Sequence, residues 1–251
     1  MRKIQKMCAA LLAGVMTVGT FAPSVFSDEA PAELTDEQVI NVRTTAFGNN
    51  YDVQDMGWRW MMAACYEGLY RDVADENGDE FILAGAESVD ISDDGTVYTY
   101  HLREDAKWSD GVPVTAHDYE YGWKRLLNPD YAYDYASFIY NVVGAEEYNS
   151  GEGSADDVMA VAVDDYTFEV TLKVADPTFE SKLVATPLYP TREDLAEAAG
   201  DNWGMTTLIG TGAFKLDSYQ TGVGATLSRF DDYHGGAVAL SGLDYKFIED
   251  V

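Results

Sequence analysis

The side chains of this sequence that could do chemistry are above all carboxylates, since 44 of the 251 residues are Asp or Glu. A glycosidase or another acid-dependent hydrolase needs two carboxyl groups that face each other across one cleft. Because acids are so frequent here, accidental pairs are common, and residue type alone does not make Glu67, Asp118, Glu120 or Asp134 catalytic. The sequence also lacks a Gly-x-Ser-x-Gly nucleophile elbow. We therefore predict that the protein is not an enzyme and name no catalytic residue.

Metal-binding patterns are equally weak. Residues 90–95 imitate the start of a calcium loop, but the twelfth position is His101 instead of the bidentate acid that such a site needs. The three histidines, His101, His117 and His234, do not have the spacing of a zinc site. We therefore predict a hairpin turn at residues 93–95, no metal site and no cofactor.

The charge of the chain excludes one class of partner. The net charge is −28, and residues 1–27 hold three basic residues and no acid, so the remainder carries 13 basic against 44 acidic residues, or −31. Nucleic acid is therefore not an expected partner. Cys65 is the one cysteine after residue 27, which leaves no internal disulfide to form.

The strongest local signal is a turn followed by a capped helix. Ser109-Asp110-Gly111 has the composition of a tight turn, and Thr115 with Asp118 three residues later forms a capping box. Apolar residues then recur at helical spacing until Asn128-Pro129 ends the pattern. This stripe is formed by Tyr119, Trp123, Leu126 and Leu127.

Periodicity predicts the other elements. A helical stripe runs from about residue 52 to residue 69, an aromatic helical region spans residues 131–148, and Thr191 with Asp194 forms a second capping box before a helix that Gly200 ends. Strands are predicted at the segments that follow: residues 39–45, 81–90, 96–103, 158–163, 166–173, 213–219, 225–230 and 243–248.

Several of these segments together resemble family 5 of the bacterial extracellular solute-binding proteins, the oligopeptide and dipeptide receptors of ABC importers. Spaced motifs that agree in order are a more specific signal than any single motif. The resemblance runs from about Val39 to the last residue and rests on five segments: Tyr66-Glu67-Gly68-Leu69-Tyr70, residues 98–103, residues 105–123, residues 163–172 and Gly210-Thr211-Gly212-Ala213-Phe214-Lys215-Leu216.

The resemblance implies an α/β fold, the first lobe of a periplasmic-binding-protein-like type II architecture. In that family a discontinuous α/β domain, here residues 38–66 and 187–251, carries an inserted smaller β-rich domain, here residues 67–186. The family's second lobe does not follow within these 251 residues. The expectation is therefore a truncated form with impaired binding, because such receptors hold the ligand between two lobes by hinge closure.

The resemblance also suggests ligand-binding residues. The family's ligand-facing loop ahead of the first helix corresponds to Gln54, Asp55 and Met56, and Tyr135 matches a tyrosine that lines the family's pocket. Each has a simpler alternative, since Asp55 could be a solvated residue in the first helix turn and Tyr135 a core aromatic residue.

The N-terminus has the layout of a secretory signal peptide. Arg2, Lys3 and Lys6 precede an apolar run too short to span a bilayer, and cleavage is predicted after Ser27. Residues 28–37 are acidic and lack periodicity, which indicates a flexible linker. Relatives in Gram-positive bacteria carry a lipidated cysteine just after the apolar run, where this sequence has none. The predicted location is therefore secreted, either periplasmic or at the outer face of the cell membrane.

The predicted function is ligand binding without catalysis, for an importer of oligopeptides. The expected partners are an oligopeptide and the permease and ATPase of an ABC transporter, and the chain is expected to be a monomer. A dipeptide, a nickel chelate or an oligosaccharide stays open as the ligand, because scaffold motifs do not encode ligand choice. A secreted acid-dependent hydrolase stays open as the alternative from another class.

Overall fold

A computed structural model describes residues 38–45, 51–55, 59–75, 78–204, 208–236 and 238–248. In chain order the strands are β1 (Val39–Thr45), β2 (Tyr70–Asp75), β3 (Gly78–Leu83), β4 (Ala86–Ile91), β5 (Val97–Leu102), β6 (Ala160–Asp164), β7 (Thr167–Thr171), β8 (Phe214–Gln220), β9 (Gly224–Arg229) and β10 (Gly242–Ile248). The α-helices are α1 (Arg59–Cys65), α2 (Ala116–Leu127), α3 (Ala145–Asn149), α4 (Phe179–Lys182) and α5 (Glu193–Ala199). Short 3-10 turns occur at Val53–Asp55, Ala136–Ile139, Ala155–Asp157, Thr186–Leu188 and Gly200–Asn202.

The first sheet joins the start of the described chain to its end. Its strand order is β1-β10-β9-β8, with β1 parallel to β10 and the other neighbours antiparallel. A parallel pair needs a crossover between its strands, and here the crossover contains all the other described elements. The predicted strands at both ends of the chain are therefore confirmed, and they meet in one sheet.

The second sheet has the order β4-β5-β7-β6 and is antiparallel throughout. Side chains alternate between faces along β5, so that Tyr98, Tyr100 and Leu102 are buried while their neighbours are partly exposed. Residues Phe168 and Val170 of β7 are buried on the same core. A third, two-stranded sheet pairs β2 with β3.

Helix α2 confirms the turn and the capping box. The Gly111 N–H donates to the Trp108 carbonyl at 2.8 Å, and Gly111 has a φ of 91°, a conformation that glycine adopts without a steric penalty. The Thr115 N–H donates to Asp118 Oδ2 at 2.8 Å, and Asn128 ends the helix. All four residues of the predicted apolar stripe are buried, with the Trp123 ring edge-on to Phe168 at 5.1 Å.

Three predicted elements are wrong in extent. Residues 81–90 form two strands of different sheets, because the Gly85 N–H bonds to the Gly68 carbonyl at 2.9 Å and turns the chain between them. The stripe at residues 52–69 becomes a 3-10 turn and the separate helix α1. The aromatic region at residues 131–148 becomes a 3-10 turn and α3, with Gly144 at φ 80° just before α3.

The second predicted capping box does not form. The N-cap of α5 is Arg192, whose guanidinium pairs with Asp194 at 2.6 Å. The Thr191 side chain instead bonds to Gln54 in the core. Gly200 ends the helix as predicted.

The predicted two-domain division stays a prediction. The first sheet draws its strands from residues 39–45 and 214–248, and the second from residues 86–171, in keeping with the predicted boundaries. The described residues nevertheless form one compact unit. The predicted signal peptide and linker lie outside the described residues. No helix within the described ranges is long and apolar enough to cross a membrane.

Candidate functional site

A cleft of about 520 Å³ lies where α1, the start of β8 and the 3-10 turn Thr186–Leu188 meet. Its walls are mainly apolar or aromatic, as is usual for a site that binds an organic ligand. The lining includes Tyr66, Glu67, Arg71, Phe138, Tyr189 and Tyr233.

The floor of the cleft is built by two motif segments that dock on each other. The Gly212 N–H donates to the Cys65 carbonyl at 2.9 Å. The Thr211 hydroxyl accepts from the Glu67 N–H at 2.9 Å and donates to the Glu67 carbonyl at 3.1 Å. A Cβ on Gly210 would lie 1.8 Å from the Cys65 carbonyl oxygen, so no larger residue fits there. The close backbone approach explains why both glycines flank the threonine.

A buried carboxylate lies at the edge of this floor. Glu67 is 5% exposed and accepts from the Tyr233 hydroxyl at 2.8 Å and from His234 Nε2 at 2.5 Å. Arg71 Nη1 lies 3.4 Å from Glu67 Oε1 and donates to the Tyr233 hydroxyl at 3.0 Å. Burial, followed by the negative charge of Glu67, raises the pKa of Tyr233, which therefore stays a hydroxyl donor.

Sequence analysis missed this cluster. Glu67 and His234 are 167 positions apart, and no local pattern links them. The two residues meet because β8 and β9 return the chain to the end of α1. The one available signal was the occurrence of Glu67 in a recognised motif.

A second buried network holds the predicted ligand-facing loop. Arg125 Nη1 lies 2.9 Å from Asp52 Oδ2 and donates to Gln54 Oε1 at 3.0 Å. Gln54 Nε2 donates to the Thr191 hydroxyl at 2.8 Å, and the Tyr133 hydroxyl donates to Asp52 Oδ2 at 2.6 Å. Although burial opposes its positive charge, Asp52 raises the pKa of Arg125. The network therefore connects the Val53–Asp55 turn with α2 and with the loop that carries Tyr135.

The predicted site residues occupy different environments. Gln54 is 0% exposed and its side chain is used by the buried network, so a direct contact with a ligand stays a prediction. Asp55 is exposed, but the protein around it removes part of the water near its carboxyl group, and this desolvation, followed by the charges of Asp52 and Asp134, raises its pKa. Tyr135 is half-buried and packs edge-on against Phe138 at 5.3 Å. Met56 lies outside the described residues.

These positions connect the two predicted segments to the cleft. The influence of Asp134 on Asp55 and the bond from Tyr133 to Asp52 bring the Val53–Asp55 turn next to the Tyr135 loop. Phe138, the ring partner of Tyr135, lines the cleft itself. The part of Asp55 and Tyr135 in ligand binding stays a prediction.

Two of the other acids considered for catalysis, Asp118 and Glu120, have structural partners. Asp118 caps α2 and accepts from Trp108 Nε1 at 3.3 Å, and burial raises its pKa although these hydrogen bonds favour its charged form. Glu120 accepts from Lys124 at 2.6 Å and from the Ala162 N–H at 2.8 Å. Asp118 and Glu120 therefore stabilise helix α2 and its contact with the second sheet.

Within the described ranges, no group of three or more His, Cys, Asp or Glu is arranged to hold a metal ion. The segment that imitates a calcium loop forms the predicted hairpin turn between β4 and β5. Asp94 accepts there from the hydroxyls of Ser92 at 2.7 Å and Thr96 at 2.8 Å, and these bonds lower its pKa.

Comparison with known proteins gives the same relatives by sequence and by structure. Residues 80–251 match the family model of the bacterial extracellular solute-binding proteins, family 5 Middle. The chain is 35% identical over 208 residues to the dipeptide-binding protein DppE of Bacillus subtilis, which covers 80% of this chain and 37% of DppE. It is 31% identical to the periplasmic oligopeptide-binding protein OppA of Salmonella typhimurium, over 90% of this chain and 42% of that protein.

The chain superposes well on solved structures, but it covers only part of each of them. Listeria monocytogenes OppA bound to peptide superposes with a TM-score of 0.79 and 32% identity, over 86% of this chain and 43% of that structure. The chain thus spans about two fifths of the length of these relatives and corresponds to their N-terminal part. The predicted fold class, a partial lobe of an OppA-type periplasmic binding protein, is confirmed. The chain belongs to family 5 of the bacterial extracellular solute-binding proteins.

Proposed function

We propose that this chain forms one wall of an oligopeptide-binding site in the substrate-binding component of an ABC importer. It binds the peptide without transforming it, and a second lobe closes over the ligand by hinge motion. The observation that carries the proposal is the cleft beside Phe138 and Tyr66, which is built by motif segments of the family. The relatives that this chain resembles are named for peptide binding.

The chemistry of the cleft suits a peptide. Aromatic walls contact varied side chains over a large apolar area, while backbone and hydroxyl groups at the floor bind polar atoms. Tyr66 and Tyr189 are almost fully buried below the surface, and Phe138 is 36% exposed. Exposed aromatic area of this kind makes little demand on the identity of the ligand side chain.

The expected partners follow from the same role. A substrate-binding component delivers its ligand to the permease and ATPase of the transporter, and it works as a secreted monomer in the periplasm or at the outer cell surface. The 251-residue polypeptide by itself binds peptides weakly, because a single wall leaves half of the ligand in water.

A dipeptide is the second candidate ligand. The 35% identity to a protein named for dipeptide binding favours it. Ligand length separates the two candidates, since a dipeptide site must enclose both charged termini while an oligopeptide site leaves at least one terminus extended.

The test is a titration of the isotope-labelled 251-residue polypeptide with dipeptides and with tri- to pentapeptides, followed by NMR. We expect weak binding with chemical-shift changes confined to residues 66–71, 135–138 and 211–214, and stronger binding of the longer peptides. Phe138→Ala should weaken binding. The control is Phe81→Ala, which removes a ring of similar exposure (40% against 36%) that does not line the cleft.

Each outcome is informative. Submicromolar binding would contradict the need for a second lobe, and a folded protein that shifts with no peptide would refute peptide binding. A preference for dipeptides would favour the second candidate.

A further inference from the structure

We infer that Arg71 is the residue of the cleft that recognises a carboxylate of the bound peptide. The inference rests on the proposed function and adds a charge preference to it. Arg71 lies on β2, next to the buried Glu67 cluster, and among the described residues that line the cleft it is the one Lys or Arg.

The guanidinium is anchored at one end and open at the other. Nη1 donates to the Tyr233 hydroxyl at 3.0 Å and lies 3.4 Å from Glu67 Oε1. The side chain is 46% exposed, whereas the Glu67 side chain is 6% exposed. Anchoring by a buried hydroxyl and a carboxylate restricts the rotamers of Arg71, which lowers the entropy lost when a ligand binds.

Glu67 does not need Arg71 for its own hydrogen bonds. Its carboxylate already accepts from Tyr233 at 2.8 Å and from His234 at 2.5 Å, both shorter than the contact with Arg71. An arginine carries five N–H donors. Within the described part of the chain, both hydrogen bonds of Arg71 come from Nη1. The Nε and Nη2 donors are therefore available to a ligand in the cleft.

The geometry of these donors selects the ligand chemistry. Two parallel N–H groups of a guanidinium match the two oxygens of a carboxylate, and this bidentate pairing is stronger than a neutral hydrogen bond. Phe138 and Val184 line the same cleft, and a peptide bound between them and Arg71 would displace water from the pairing, which strengthens it. A carboxylate can come from an acidic side chain or from the C-terminus of the peptide.

The rest of the protein makes a local cation necessary. With a net charge of −28 the chain repels anions at long range, so an anionic group must find its favourable contact close by. Asp72 also borders the cleft, where burial, then the charge of Glu67 and then that of Asp72 raise the pKa of Tyr189. The Tyr233 hydroxyl accepts from Arg71 and donates to Glu67, so Asp72 takes no part in the anchor of Arg71.

The test compares four tetrapeptides that differ only in carboxylates: an internal Glu or Gln, each with a free or an amidated C-terminus. Affinities are measured by NMR titration of the 251-residue polypeptide and of its Arg71→Gln, Arg71→Lys and Lys215→Gln variants. Lys215→Gln is the charge-matched control, because it removes one positive charge at an exposed residue that does not line the cleft.

In the wild type, we expect removal of either the internal Glu carboxylate or the C-terminal carboxylate, but not of both, to matter: the peptide without it should bind about tenfold more weakly. This is the contribution expected of a charge-assisted hydrogen bond to a half-exposed group. Arg71→Gln should abolish this difference, Arg71→Lys should retain part of it, and Lys215→Gln should leave it unchanged. The peptide pair that shows the effect identifies the source of the carboxylate. Thermal melts of the variants check that substitution of the half-exposed Arg71 leaves the fold intact.

Peptide binding with equal affinity for all four peptides would overturn the inference and leave the proposed function standing. A carboxylate preference that persists in Arg71→Gln would also overturn it. Absence of binding by any peptide would overturn both.

Discussion

Replacement of Arg125 by methionine is expected to destabilise the protein strongly, because it takes a buried cation away from a buried carboxylate. The side chains of Arg125 and Asp52 are 6% and 7% exposed, and their charged atoms lie 2.9 Å apart. Arg125 also stacks over the rings of Tyr131 at 4.6 Å and Tyr133 at 5.2 Å. Methionine has a similar length and fills most of the space, so the lost charge is the main change.

The magnitude follows from the environment of the pair. Removing one partner of a buried ion pair typically costs about 3–5 kcal/mol, since the remaining charge stays desolvated. Asp52 keeps the bonds from the Tyr133 hydroxyl and the Gln54 N–H, which brings the expected loss to about 3 kcal/mol, the lower end of that range. The double variant Arg125→Met/Asp52→Asn should lose at least about 1 kcal/mol less than the sum of the single variants.

The assay is urea unfolding followed by tryptophan fluorescence, with a double-mutant cycle over the two positions. The control is Lys173→Met, which breaks an exposed pair with Glu146 and should cost less than about 1 kcal/mol. A loss below about 1 kcal/mol for Arg125→Met, or strict additivity in the cycle, would refute the reasoning.

Three further predictions concern the backbone and the buried tyrosines. Gly210→Ala should lower the free energy of unfolding by about 3 kcal/mol, because its Cβ would lie 1.8 Å from the Cys65 carbonyl oxygen. The control Gly222→Ala, at φ 71° with open space around it, should lower it by about 1 kcal/mol. Equal melting temperatures for the two variants would contradict this. Ala132→Gly should raise the free energy of unfolding by about 0.5 kcal/mol, since Ala132 has a φ of 51°, and a loss of stability in urea unfolding would argue against strain there. Burial raises the pKa of Tyr66 above its usual range, so above about pH 10 the unfolded chain loses the proton that the folded chain keeps, and stability should fall by up to about 1.4 kcal/mol per pH unit. The check follows tyrosine ionisation by absorbance and unfolding by circular dichroism while the pH is raised. Ionisation of all the tyrosines at a pH well below that of unfolding would contradict this last expectation.

Much of the fold could be predicted because its signals are local. The turn at Gly111, the cap at Thr115 and the apolar stripe of α2 depend on residues within a few positions of one another, and the structure confirms all three. The hairpins β4–β5 and β6–β7 follow from side-chain alternation and turn composition, although the predicted first strand also included part of β3. The motifs were also sufficient to identify the family, because their order along the chain is more specific than any one motif.

The candidate site was less predictable because its contacts join distant segments. Gln54 belongs to the predicted ligand-facing loop, but its side chain turns inward to Arg125, a partner 71 positions away. Thr191 has the sequence context of a helix cap, but the same network takes its hydroxyl. In both cases a buried polar partner competed with the local role and won, because an unsatisfied buried group is costly.

The sequence by itself determined the local elements, the acidic charge of the chain and its family, since each depends on residue type and order alone. Only the tertiary structure decided which polar groups meet: Glu67 with Tyr233 and His234, Asp52 with Arg125, and Arg71 at the open side of the cleft. The physical reason is that a hydrogen bond depends on distance in space. The packing of β1 against β10 and of α2 against its sheet sets those distances.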